Sequence, residues 1–73
     1  MEHTVVFDMS PGGSGAYYVT GDVVWHEGRV CLVSTTSRLD GQRFRARLQV
    51  VARPTPEQRR RAEDWRGRFG GRR

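Results

Sequence analysis

The sequence contains no lysine and only one cysteine, and its first 28 residues carry no arginine. A lone cysteine, Cys31, excludes a disulfide framework within one chain. It fits a reducing compartment, with an intermolecular pair as the other option. No apolar run approaches the ~18 residues of a membrane span. The first ten residues lack the positive charge that opens a signal peptide. These absences point to a soluble, cytoplasmic protein with no membrane partner. Zinc-type spacings such as Cys-x2-Cys or His-x3-His are missing too. His26 and Glu27 flank a turn and read as solvated, and Cys31, inside an apolar strand, reads as a small core residue. No motif sets a base beside a nucleophile. The expectation is therefore no metal, no cofactor, no catalytic residue and no enzyme activity.

What the chain has in quantity is arginine. All 13 basic residues are Arg. A GC-rich genome gives that bias without selection, and selection for planar forks that grip phosphate or carboxylate in two places gives it as well. Position is more informative. Residues 1–28 carry Glu2, Asp8, Asp22 and Glu27, a formal −4; residues 29–73 carry every Arg against Asp40, Glu57, Glu63 and Asp64, a formal +9, and the two together make the net +5. Such asymmetry suggests a nucleic-acid or acidic-partner surface. The competing reading is internal neutralisation, if acidic strands lie beside the basic one.

The strongest pattern is Gln42 to Arg53, with period-two alternation that is strict over the eight positions 43–50. Phe44, Ala46, Leu48, Val50 and Ala52 share one parity, and Arg43, Arg45, Arg47 and Gln49 share the other. This predicts a β-strand with one face on a core and a row of three guanidinium groups on the opposite face. Before it, residues 3–9 read as a first strand, and Ser10 to Gly15, with Pro11 and three Gly, as a flexible hairpin loop. The loop lacks the Lys-Ser/Thr and the following helix of a phosphate-cradling loop. Residues 16–26 read as a second strand with a bulge or bend at Gly21, or as two pieces split by a tight turn at Thr20-Gly21-Asp22. Glu27-Gly28 is the next turn. Residues 29–36 form a third strand, apolar on both parities at Val30-Cys31-Leu32-Val33, as a central strand covered on both faces would be. Residues 37–42 read as a loop, with Asp40-Gly41 as its turn signal.

After Pro54 the pattern becomes helical. Thr55-Pro56-Glu57-Gln58 offers an N-cap, a proline at the first helical position and a reciprocal capping box. The helix should run over about 55–69 with a narrow stripe of Ala62, Trp65 and Phe69. The expectation is a single small domain over residues 1–69 with a basic flexible tail at 70–73. Its fold class is α+β: a four-stranded antiparallel meander sheet with one C-terminal helix. The alternative is a small SH3-like or OB-like β-barrel plus the same helix, if Gly21 and a second bend fold the long strands over. At this length only about 60% of the unfolded surface is buried, so oligomerisation would help. Val6, Val24 and Val51 fall on the solvent parity; as one patch they would be a homodimer interface.

The Arg row is cheap to maintain. Alternate strand residues stand about 6.5–7 Å apart, so each like-charge pair repels by roughly 0.6 kcal/mol in water. Its value as a site rests on location. In the helix, Glu57–Arg61, Arg59–Glu63, Arg60–Asp64 and Asp64–Arg68 are i,i+4 pairs that neutralise one another, whereas Arg43, Arg45 and Arg47 have no acid near in sequence on their face. Arg38 in the preceding loop, Arg72 and Arg73 in the tail, and Tyr18 as a stacking surface complete a candidate nucleic-acid site. The functional expectation is a small, non-catalytic nucleic-acid-binding protein. The alternative is a dimeric adaptor or regulator that docks an acidic protein surface through the same row.

Overall fold

A computed structural model of the chain describes residues 2–9 and 17–70. It contains β1 (Glu2–Asp8), β2 (Val23–His26), β3 (Arg29–Asp40), β4 (Arg43–Val50) and α1 (Pro56–Trp65), followed by a π-helical turn at Arg66–Gly70. The fold is α+β, a four-stranded antiparallel sheet curled into a half-barrel with one C-terminal helix, the fold class expected from the sequence. The meander is confined to β2, β3 and β4. The strand order is β1-β4-β3-β2, so β1 lies against β4 at the far edge. The expected hairpin between the first two strands is therefore absent as a pairing; its loop, residues 10–16, lies outside the described residues.

The alternation in β4 translates directly into packing. Ala46 and Leu48 are fully buried, and Phe44 and Val50 pack partly buried against the same cluster, with Phe7, Val24, Cys31, Val33 and Trp65. Register places Val5 opposite Ala46, Phe7 opposite Phe44, and Val33 opposite Leu48, so these side chains share the concave face. In β3, Val30, Cys31 and Val33 are all buried, as expected of a strand covered on both sides. A second cluster explains the other cover: Val23, Val30 and Ala62, with Trp25, Leu32 and Val51 packed around them. Adjacent β2 residues point to opposite faces, and Val23 meets Ala62 while Val24 shares a cluster with Trp65. The helix thus supplies cover to both faces of β2.

Two strand boundaries differ from expectation. The second strand is only four residues long, because Gly21 at φ 95° turns the chain and Asp22 N–H donates to the Val19 carbonyl at 2.9 Å. The tight-turn alternative at Thr20-Gly21-Asp22 describes this, except that residues 17–19 form no strand. The third strand runs on through residues 37–40, where a loop was expected, and closes on β4 through the two-residue turn Gly41-Gln42 with Gly41 at φ 45°. That extension is exposed on both faces. It therefore carries no apolar alternation to mark it as a strand, and backbone pairing to β4 holds it with the surface contacts of Arg38 and Asp40 at the turn. Curvature comes from irregularities in β3 between Val33 and Thr35 and between Arg38 and Asp40, rather than from Gly21. At the first, the Ser34 hydroxyl donates to the Arg47 carbonyl at 3.1 Å.

The helix start is as read from the sequence. Gln58 N–H donates to Thr55 Oγ1 at 3.1 Å, and Thr55 N–H donates to Gln58 Oε1 at 2.9 Å, with Pro56 in the first turn. Ala62 and Trp65 are buried and Phe69 packs partly buried behind them. Gly67 and Gly70 weaken the helix where it widens into the π turn. Residues 71–73, most of the expected tail, lie outside the described residues.

The proposed valine patch does not form. Val24 is 0% exposed, in the core; Val51 packs partly buried in the second cluster; Val6 alone is well exposed, at 56%. A strand covered on both faces buries both parities, which the alternation rule assumed it would not. The contrast is measurable. Leu48→Ala should cost about 2–5 kcal/mol by urea denaturation, while Val6→Ala should stay within about 0.5 kcal/mol. A large loss at Val6 would mean that something covers it in solution.

Candidate phosphate-binding face

The outer face of the sheet is built by register. Arg45 stands opposite Val6 on β1 and Ser37 on β3; Arg47 stands opposite Thr4 and Thr35; Arg43 stands opposite Asp8 and Asp40. Directly paired residues share a face, so the Arg row lies beside hydroxyl groups at its centre and beside carboxylates at the turn end. Thr4, Thr35, Ser37, Arg45 and Arg47 line a shallow polar hollow across all three strands. Two guanidinium groups and three hydroxyls, all donors, are the inventory that an oxyanion needs.

The three arginines are not equivalent. Arg43 is engaged: its Nε and Nη2 donate to the two carboxylate oxygens of Asp40 at 3.2 and 3.1 Å. Asp40, by hydrogen bond and by charge, holds that guanidinium firmly in its cationic form, and the Asp8 charge adds to the effect. Arg47 meets Glu2 at 3.5 Å, in a pair more than half exposed on the Arg side. Such surface pairs contribute little and exchange readily. Arg45 makes no ion pair or hydrogen bond among the described residues and faces the hollow. Internal neutralisation of the row is therefore real at Arg43, weak at Arg47 and absent at Arg45.

Other residues expected at the site fall elsewhere. Register places Arg38 opposite Phe44, on the opposite face from the row, where its Nε donates to the Gly41 carbonyl at 3.0 Å. Tyr18 is half-buried and packs edge-on to Phe7 and tilted against Trp65, each at 5.2 Å between centroids. It belongs to the concave core, so it offers no stacking surface beside the Arg row. Parity could not place it, because residues 17–19 are not in a strand. Arg72 and Arg73 lie outside the described residues. On the helix, none of the expected i,i+4 pairs closes among the described residues. Instead Arg66 meets Glu63 at 3.2 Å and lies over the Trp25 ring at 5.5 Å, and Arg61 donates to the Gly21 carbonyl at 3.3 Å.

Two features were not legible in the sequence. A broad, largely apolar hollow runs beside Trp25, Val30, Val51, Pro54 and Arg59, and the Trp25 indole N–H is buried without a partner among the described residues. Separately, His3 and His26 come together, with ring centroids 5.2 Å apart. They are 23 positions apart in sequence and lie on opposite edge strands, so no spacing rule could pair them.

Among the described residues, no helix is long and apolar enough to cross a membrane. Compared with protein-family models, curated proteins and solved structures, the chain gives no match.

The burial of Tyr18 and Cys31 sets an alkaline limit. Burial pushes the Tyr18 hydroxyl above its ordinary pKa, with the neighbouring Cys31 adding to the rise. Burial also raises the Cys31 thiol, partly opposed by Arg29. In the unfolded chain both groups ionise at their ordinary values, while the folded chain keeps its protons. Their stabilising contribution is whole below those unfolded values and is lost as pH rises through the folded ones. Urea midpoints should therefore fall above about pH 9, and Tyr18→Phe should flatten part of that decline. A midpoint that stays constant to about pH 11 would contradict the burial of both groups.

Proposed function

We propose that the protein is a small, non-catalytic nucleic-acid-binding protein that grips the phosphate backbone on its outer sheet face. The observation that carries this reading is the hollow where Arg45 and Arg47 meet the hydroxyls of Thr4, Thr35 and Ser37. With Tyr18 turned into the core, base stacking has no place in the mechanism. Contact is with phosphate, and sequence preference should be weak. Arg45 supplies an unengaged fork, Arg47 exchanges its exposed Glu2 partner for phosphate, and the hydroxyls fill the remaining acceptor positions. Arg43 serves the hairpin turn instead.

The engaged state of Arg43 lowers the number of phosphates met. With about two neutralised, log K on duplex DNA should fall against log salt with a slope of about −2, shallower than a full row plus tail would give. Arg45→Ala should reduce that slope by about one, and Arg43→Ala should change it far less. Fluorescence anisotropy on labelled duplexes of unrelated sequence reads both. Affinity that ignores salt, or an Arg43 variant as damaging as the Arg45 variant, would defeat the reading. Val6, exposed on the same face opposite Arg45, is what an acidic protein partner would use. Nuclease-resistant capture that depends on Arg45 would assign the face to such a partner.

A further inference from the structure

The curl of the sheet brings its two free edges together at one point. Among the described residues β1 pairs only with β4 and β2 only with β3, so no backbone ladder joins β1 to β2. Yet His3 on β1 and His26 on β2 face each other with ring centroids 5.2 Å apart and planes inclined at 57°. Glu27 follows, its carboxylate Oε2 3.8 Å from His26 Nε2. One donor atom from each of the three lies within 4.8 Å of the others.

From these residues we propose a divalent transition-metal site, best suited to Zn2+, formed by His3, His26 and Glu27. Two imidazoles and a carboxylate are a donor set that zinc accepts, with bonds of about 2.0–2.2 Å, which sets tetrahedral donors about 3.3–3.5 Å apart. Closing from the present separations takes about 1 Å, within the range of side-chain rotation. Both histidines are only partly exposed, and the His26 side chain is 19% exposed, so the rings are already held rather than free in solvent. The turn supports the assignment independently. Glu27 and Gly28 occupy its two central positions at φ 52° and 78°, where Asn, Asp or Gly is the usual first residue. Glutamate is poorly suited to that conformation, and its longer side chain is what reaches the imidazole. With no further His, Cys, Asp or Glu in the group among the described residues, the fourth position is left to water or an incoming donor. Bound metal would clip β1 to β2 and close the open seam of the half-barrel, so metal binding and folding stability are linked.

The test uses the full, tag-free chain after chelator treatment. Calorimetric titration with ZnCl2 should give one site per chain, and Tm should rise by at least about 5 °C at a zinc concentration of about 100 times Kd. His3→Ala with His26→Ala should abolish both effects, and Glu27→Gln should weaken them. If those variants fold poorly, amide and imidazole NMR shifts of the wild-type chain decide instead: zinc should perturb residues 3, 26 and 27 first. Absence of saturable zinc uptake overturns the proposal. So does uptake that survives the double substitution, or perturbation centred away from these three residues.

Discussion

The fold depends on a continuous run of aromatic contacts that fills the mouth of the half-barrel. Phe44 stacks on Phe7 at 5.7 Å, Phe7 meets Tyr18, Tyr18 meets Trp65, Trp65 meets Phe69 at 5.6 Å, and Phe69 meets Tyr17 at 5.8 Å. Four separate chain segments contribute, from β1, β4, the irregular stretch after the Gly-rich segment, and the helix with its π turn. The Trp65 indole N–H completes the closure by donating to the Tyr17 carbonyl at 3.1 Å. One ten-residue helix is too short to cover the whole concave face of a four-stranded sheet. The aromatics complete that cover with few residues, because each buries a large area and pairs favourably at such separations. The helix then needs only a narrow stripe, Ala62, Trp65 and Phe69, to be held in place.

Once the concave side is committed to aromatics and the helix covers the other face of β2 and the start of β3, the convex side around β4 is left to charge. The β1–β4 register sets the acidic first strand beside the arginine strand, which is why a row of guanidinium groups is tolerable on one face. The compensation is graded along β4 by local geometry. At the turn end, Asp40 is three residues from Arg43 and reaches both fork nitrogens. In the middle, β1 presents Val6 and β3 presents Ser37 opposite Arg45, so no described residue pairs with its charge. A uniform charge pattern in the sequence becomes a site with a centre, because the neighbours differ from one register position to the next.

Much of this was legible in the residues, for identifiable reasons. The β4 alternation, the capping box at Thr55–Gln58 and the Ala62–Trp65–Phe69 stripe are local signals, and local geometry realises each. The misreadings share a cause. Val24 and Val51 were assigned to solvent by parity, but the helix covers the second face of β2, and parity cannot see a covering element. Counting parity at Tyr18 fails because the strand begins only at Val23. Residues 37–40 look like a loop because neither face of that hairpin reaches the core. In each case the deciding partner lies far away in sequence.

Curling also explains why the functional candidates lie where they do. A flat sheet in the order β1-β4-β3-β2 would hold β1 and β2 three strand spacings apart, roughly 14 Å, and His3 could not meet His26. The β3 irregularities that bend the sheet therefore bring the edges together and give the aromatics a concavity to fill. The edge-to-edge contact is the weakest part of that arrangement, because side chains alone span it. Any group that bridges His3 and His26 would therefore act on the curvature itself, the feature on which the concave core and the outer face both depend.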